Sequence, residues 1–148
     1  MKKKVLLLSA VLAAAVVAAV PARAQFAKAE DAVKYRQSAF SLMGNHMGRL
    51  AAMARGDRPF DAASAQASAR LIETLSHLPW EGFVAGSTSK GLKAEPWADA
   101  ADFAARADRL KGETAKLPAA AASLETLRAQ VGATGKACTN CHDKYRNI

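Results

Sequence analysis

The sequence predicts an all-α protein, an antiparallel up-down-up-down four-helix bundle, over residues 25–148. Four segments place apolar residues at steps of three and four, the spacing of one face of a helix. Clusters of Gly, Pro and Asp separate these segments, and no stretch alternates apolar and polar residues as a half-buried strand does. Most of the connections are short or moderate, which favours antiparallel neighbours.

The first 24 residues have the pattern of a cleaved secretory signal peptide. Three lysines precede an apolar run from Val5 to Val20, and an A-x-A pattern ends at Ala24. The alternative is a membrane anchor, but the run has 16 residues, whereas a spanning helix needs about 20. We therefore expect one domain, residues 25–148, located in the periplasm and free of the membrane after signal cleavage.

The charge of the exported chain does not indicate nucleic-acid binding. The full sequence has a net charge of +8, and the four basic residues of the predicted signal account for half of it. The remainder has no basic run with interleaved aromatic residues, the pattern that favours a nucleic-acid interface. A mild positive charge suits an acidic redox partner, which the sequence leaves unidentified.

The first predicted helix spans residues 28–54 and is followed by a Gly-Asp-Arg-Pro turn. One of its faces carries a stripe with steps of three and four, and Arg36 is the one charged member of that stripe. The members are Val33, Arg36, Phe40, Met43, Met47, Leu50 and Ala54.

Prolines bound the second and third predicted helices. Asp61 follows Pro59 as the N-cap of a helix that continues to Pro79. A connection rich in Gly, Ser, Thr and Lys covers residues 81–95. The third helix opens with Pro96 and extends to residue 117, and Pro118 then begins the next helix at a position that tolerates proline.

The fourth predicted helix is the most regular segment, and both cysteines of the chain lie on its buried seam. Gly132 and Gly135 weaken it locally but permit the close approach of a helix or a flat ligand. The seam consists of Leu124, Leu127, Val131, Thr134, Cys138, Cys141, Tyr145 and Ile148.

The last helix contains a C-x-x-C-H motif, the attachment signature of a c-type haem. Residues three and four apart share one face of a helix, so Cys138, Cys141 and His142 point to the same side. The two thiols suit thioether links to the two vinyl groups of a porphyrin, and the imidazole suits the axial position of the iron. The motif therefore predicts one covalently attached haem c.

Three other interpretations of the cysteines are weaker. A structural zinc site needs four ligands, and the remaining histidines, His46 and His77, are distant. A thioredoxin-like dithiol expects a strand-to-helix setting. A disulfide between cysteines three apart in a helix would constrain almost no chain.

The chain resembles the cytochromes c′, which are a standard example of the four-helix bundle. The resemblance covers the whole predicted domain: QFAKAEDAVKYRQSAF at residues 25–40, LPW at 78–80, EPW at 95–97 and CTNCHDKYR at 138–146. A common small cytochrome c has its motif near the start and a methionine ligand downstream, whereas Met43, Met47 and Met53 lie upstream here. The resemblance implies a periplasmic homodimer with a high-spin five-coordinate iron that binds nitric oxide and carbon monoxide.

The residues opposite the motif indicate what covers the iron. In an antiparallel bundle the end of the fourth helix lies beside the start of the first, which places His142 level with Tyr35, Arg36 or one turn beyond. Phe40 is the stripe residue best suited to the distal face, and Arg36 suits a haem propionate. The alternatives are ordinary core packing for Phe40 and an ion pair with Asp31 for Arg36. The resemblance supports the two haem roles, with Phe40 where many members have Leu.

Two residues after the motif are further candidates. The resemblance assigns Arg146 to the proximal side of the haem, and the alternative is a favourable cation at a helix C-terminus. Tyr145, on the seam, is a further candidate for haem contact.

The sequence thus predicts a gas-binding haem protein for nitric oxide sequestration or tolerance, with electron transfer as an additional role. An apolar distal face favours nitric oxide and carbon monoxide over oxygen, whose bound form gains from a hydrogen-bond donor. The alternative is a six-coordinate low-spin electron carrier with Met43 or Met47 as the second axial ligand. A haem enzyme such as a peroxidase is least supported, because no acid-base histidine lies near Phe40, so we expect no enzymatic activity.

Overall fold

Four long helices form the all-α bundle that the sequence predicts. The computed structural model describes residues 25–147, so the predicted signal peptide and Ile148 lie outside the described residues. The long helices are α1 (Ala29–Arg55), α2 (Ala62–Leu75), α4 (Ala100–Thr114) and α6 (Leu124–Tyr145); α3 (Glu95–Ala98), α5 (Leu117–Ala120) and a 3-10 helix (Pro79–Gly82) are short. Within residues 25–147, no helix has both the length and the apolar character needed to span a bilayer.

The boundaries of the first two helices follow the local sequence signals. Gly56 ends α1 with φ 88°, a left-handed conformation that glycine adopts without steric cost, and its N–H donates to the carbonyls of Ala52 and Met53. Asp61 caps α2 as predicted: its Oδ1 accepts from the N–H of Ser64 at 2.7 Å. The α2 helix ends at Leu75, earlier than the predicted end near Pro79.

The third helix differs from the prediction of one helix over residues 96–117. The backbone breaks at Asp99 (φ −125°, ψ 59°), which separates α3 from α4 and caps α4 by accepting from Asp102 N–H at 3.3 Å. An Asp side chain competes for backbone hydrogen bonds in this way, and helical periodicity does not reveal it. Pro118 lies in the short α5, and Ser123 caps α6 by accepting from Thr126 N–H at 3.2 Å.

The core runs from one end of the bundle to the cavity, and Met43 and Leu110 belong to the core and to the cavity wall. Leu50, Ile72 and Leu127 are fully buried in the half where α1 ends and α6 begins. In the same half, Arg128 Nε donates to the carbonyl of Ala54 at 2.7 Å and sets the register of the two antiparallel helices. An equal count of residues along both helices from this contact brings His142 level with Phe40, to within about one turn.

Candidate haem site

A cavity of about 700 Å³ lies between α1, α4 and α6, near the C-terminal end of α6. This volume is in the range of about 300–1,000 Å³ that small-molecule and cofactor sites occupy. Cys138, Cys141 and His142 all line it, and Phe40 lines it from α1. The structure therefore brings the three motif residues to the wall of one cavity, as their spacing predicts.

The two cysteines are half-buried and are not joined in a disulfide. The seam prediction is correct for Leu127, Thr134 and Tyr145, which are buried, whereas Cys138 and Cys141 face the cavity. Burial raises the pKa of both thiols, so they are protonated near neutral pH. What suits the two cysteines to hold a flat, apolar group is therefore their position, unpaired and side by side on the wall of an apolar cavity.

His142 lies on the cavity wall at the start of the last turn of α6. Desolvation lowers the pKa of its imidazole, and the positive charge of Arg146 lowers it further. A lower pKa favours the neutral ring, the form that binds a metal. Arg146 is the C-cap of α6, lines the same cavity, and donates its backbone N–H to the His142 carbonyl at 2.9 Å. Its predicted proximal role and its role at the helix end are therefore compatible.

Phe40 belongs to a chain of aromatic rings that forms one wall of the cavity. Its ring meets Trp80 edge-on, with centroids 5.7 Å apart, and Trp80 meets Phe103 in the same way at 5.8 Å. Phe83 packs against Phe103 at 4.7 Å. The sequence analysis did not predict Phe83 or Phe103 as site residues. Spacing could not identify Phe83, because it lies in a connection without periodicity.

Arg36 is 2 % exposed and holds the connection after the 3-10 helix. Its Nη1 donates to the Gly82 carbonyl and to Ser87 Oγ, both at 2.7 Å, and its Nη2 donates to the Ser87 carbonyl at 2.5 Å. The alternative pair with Asp31 is not what the structure shows. Three of the five guanidinium donors are used, so two remain for a propionate, and Arg36 lines the cavity. The propionate role stays a prediction.

Met43 and Met47 also line the cavity, one and two turns beyond Phe40 on α1. Met43 is buried and Met47 is half-buried. The structure therefore keeps both thioethers on the wall that contains Phe40. The register of α1 against α6 places His142 nearest the level of Phe40, less than one turn from Met43 and about two turns from Met47.

Tyr145 is buried at the cavity wall and is connected to α4. Its ring meets Phe103 edge-on at 5.1 Å, and its hydroxyl donates to Asp102 Oδ2 at 2.5 Å. The same carboxylate accepts from Arg106, and the hydrogen bonds from Arg106, Tyr145 and Lys144, in that order, hold the pKa of Asp102 well below its usual range. The i, i+4 spacing of Asp102 and Arg106 is visible in the sequence, but their contact with α6 is not.

The donor set and the shape of the cavity fit a covalently attached haem. Two free thiols and a neutral imidazole converge on an apolar space, and Arg36 has donors to spare for an acidic edge. Within residues 25–147, no three His, Cys, Asp or Glu side chains group as metal ligands, so the zinc alternative lacks its ligand set.

Comparison with known proteins agrees with this geometry. The family model described as Cytochrome C′ matches residues 31–146. The cytochrome c′ of Alcaligenes xylosoxydans xylosoxydans is 45% identical over 124 residues, and that of Rubrivivax gelatinosus is 47% identical over 127 residues; each match covers 82% of this chain and 98% of the relative. A crystal structure of the Rubrivivax gelatinosus protein, 45% identical, superposes with a TM-score of 0.80 over 83% of this chain and 100% of that one. The structure of a nitric oxide complex of a cytochrome c′ variant from Alcaligenes xylosoxidans is 44% identical in sequence and has a TM-score of 0.79 over 84% of this chain and 99% of that one.

Proposed function

The chain belongs to the cytochrome c′ family, and from that premise we propose that it is a periplasmic haem protein that binds nitric oxide and carbon monoxide. Its cofactor is one covalently attached haem c, which supplies an iron able to bind a diatomic gas. The proposed physiological role is nitric oxide sequestration or tolerance, with electron transfer as an additional role. The nitric oxide complex of the Alcaligenes xylosoxidans relative supports the class of ligand.

Three residues of α6 hold the cofactor in this proposal. Cys138 and Cys141 provide the two thioether sulfurs, and His142 provides the axial nitrogen. Their common position on the cavity wall supports these roles. The low pKa of His142 keeps a lone pair free on the ring at neutral pH.

The observation that carries the proposal is the presence of Phe40 on the α1 wall of the cavity that His142 also lines, within about one turn of the level that the Arg128–Ala54 contact gives for His142. A hydrocarbon ring cannot coordinate iron, so the distal position stays open to a small ligand, and the iron is expected to be high-spin and five-coordinate. The rings of Trp80 and Phe83 pack around Phe40 and hold it in place. Phe40 thereby restricts the space for a ligand without occupying the coordination position itself.

The homodimer is also part of the proposal. Leu42 on α1 and Leu71 on α2 are 53% and 47% exposed, and these two helices pack against each other. Large apolar side chains on adjacent surface helices suit an interface between two copies. Chromatography with light scattering tests this, because a monomer at all protein concentrations would contradict it.

An optical titration tests the proposed function. The ferric and ferrous proteins are expected to have high-spin five-coordinate spectra, and nitric oxide and carbon monoxide are expected to change the ferrous spectrum stoichiometrically. A low-spin methionine-ligated spectrum would instead establish the electron-carrier alternative, for which Met43 and Met47 are in the cavity. His142→Ala is the matched variant for the axial role: it is expected to lose the histidine-ligated ferrous spectrum, and an unchanged spectrum would refute that role.

A further inference from the structure

One carboxylate oxygen of α4 accepts hydrogen bonds from two side chains at the end of α6. Asp102 Oδ2 accepts from Lys144 Nζ at 3.0 Å and from the Tyr145 hydroxyl at 2.5 Å, both on the last turn of α6. It also accepts from Arg106 Nε at 2.6 Å, one turn along its own helix. Asp99 adds a second ion pair to Lys144, at 2.6 Å. This end of α6 is therefore attached to α4 by charge-assisted bonds, which are stronger than neutral ones.

Arg106 connects the same carboxylate to the haem motif itself. Its Nη1 donates to the carbonyl of Asn140 at 2.6 Å, and Asn140 lies between the two cysteines in the sequence. The Arg106 side chain also lines the haem cavity, as does Cys141. Asp102 holds one edge of the guanidinium, and the guanidinium holds the backbone of the motif.

The orientation of His142 needs such an external support. A metal-binding histidine ordinarily donates its second ring N–H to a carboxylate or a carbonyl, which fixes the direction of the ring. Within residues 25–147, the His142 ring has no hydrogen bond of this kind to a side chain or carbonyl of the chain. The ring is therefore directed by the backbone of α6, yet the helix ends at Tyr145, three residues later. Residues this close to a helix end are prone to fraying unless other elements hold them. The connection before α3 holds the end of the helix, since Lys93 N–H donates to the Tyr145 carbonyl at 3.0 Å and Asn147 N–H to the Gly91 carbonyl at 3.3 Å, whereas the contact to the motif backbone itself comes from α4.

We propose that Asp102 and Arg106 are positioning residues, which hold the motif segment of α6 against α4 and thereby fix the direction in which His142 faces the haem. The inference rests on the proposed axial role of His142. Neither residue needs to touch the iron, because both act through the Asn140 carbonyl and the last turn of α6.

Resonance Raman spectroscopy of the ferrous haem-loaded protein measures the effect through the iron–histidine stretching band. Asp102→Asn keeps the side-chain shape and removes the charge, so we expect the band to shift and broaden. Arg106→Gln is expected to move it in the same direction, and Arg106→Lys, which keeps a cation but cannot bridge two acceptors in the same way, is expected to recover part of the shift. Tyr145→Phe removes one donor and is expected to give a smaller shift.

Asp108→Asn is the matched control. Asp108 is also on α4 and pairs with Lys111 on its own helix at 2.9 Å, so we expect the wild-type band. A second measurement, hydrogen exchange of the amides near the end of α6, is expected to be several-fold faster in Asp102→Asn than in the control.

The outcomes distinguish a failure of the axial role of His142 from a failure of the positioning role alone. A wild-type ferrous protein without any iron–histidine band would refute the axial role of His142 and the positioning role with it. A wild-type band that stays unchanged in position and width in both Asp102→Asn and Arg106→Gln would refute the positioning role alone. A shifted band in these variants, with an unshifted control and partial recovery in Arg106→Lys, would establish it.

Discussion

Replacement of Arg36 by Met tests whether the connection over the haem cavity depends on a buried guanidinium. The substitution keeps the aliphatic length of the side chain and removes all three hydrogen bonds to Gly82 and Ser87. Ser87 is fully buried, and Arg36 is 2 % exposed. Water therefore cannot replace the lost donors without a local opening of the connection.

The size of the effect follows from what each acceptor retains. The single proton of the Ser87 hydroxyl is donated to the Val84 carbonyl at 2.7 Å, so the Gly82 carbonyl retains only the longer contact to that hydroxyl, at 3.2 Å. The Ser87 carbonyl loses its guanidinium donor, and a buried acceptor without a partner costs about 1–3 kcal/mol. The guanidinium also lies 4.7 Å from the centre of the Phe83 ring, a contact that contributes about 0.5–2 kcal/mol.

Burial of the guanidinium costs desolvation free energy, which also lowers the pKa of Arg36. The substitution removes this cost and so offsets part of the loss of stability. We therefore expect Arg36→Met to lower the free energy of unfolding by about 2–4 kcal/mol. Urea denaturation of the haem-loaded protein, followed by circular dichroism, measures it as a fall in the midpoint at constant slope. Arg49→Met, at an exposed position of the same helix, is the control and is expected to stay within about 0.5 kcal/mol of the wild type. Equal unfolding free energies for the two variants would refute the reasoning.

Three other perturbations address the distal face, a close backbone contact and the acid limit of stability. Phe40→Ala removes the ring that restricts the cavity and is expected to speed and tighten carbon monoxide binding in stopped-flow measurements; unchanged kinetics would show that Phe40 does not gate the site. Gly82→Ala would put a Cβ 2.8 Å from the Ala32 carbonyl oxygen, so its free energy of unfolding is expected to fall by about 1–3 kcal/mol. In Gly112→Ala the added Cβ meets nothing within 4 Å, so the free energy of unfolding is expected to rise by about 0.5–1 kcal/mol. The opposite order of stability in urea denaturation would contradict the packing argument. The hydrogen bonds to Asp102 depress its pKa, so the unfolded chain, with an Asp pKa of about 3.9, binds more protons in acid. The stabilisation is present above that value and lost as the pH falls through the folded pKa, so Asp102→Asn is expected to flatten the acid loss of stability, and parallel wild-type and variant curves would be the contrary result.

Periodicity and caps predicted much of the fold because these signals are local. The stripe of α1 and the seam of α6 follow from spacing alone, and Asp61 caps α2 as its position after Pro59 predicts. The prediction of a continuous third helix was the main error. Asp99 interrupts that helix, and its side chain accepts a hydrogen bond from the backbone N–H of Asp102. Trp97 belongs to α3, and its side chain donates to the Phe83 carbonyl at 3.2 Å.

The sequence by itself determined the chemistry of the candidate site. Cys138, Cys141 and His142 share a face because helical geometry brings residues three and four apart together, and this holds wherever the helix lies. The same argument placed Arg36 and Phe40 on one stripe of α1. Their functional roles remain predictions, but their presence on one cavity wall was derivable from spacing and an antiparallel bundle.

Only the tertiary structure decided which partners these side chains meet. Arg36 binds Ser87, 51 residues away, and Arg106 binds the Asn140 carbonyl, 34 residues away. Such pairs depend on the break at Asp99, on the path of the connection after Gly82 and on the register of α4 against α6. A shift of one residue along a helix turns a side chain by about 100°. A sequence pattern can therefore predict which face of a helix is buried, but it does not predict which atom of the neighbouring element a side chain contacts.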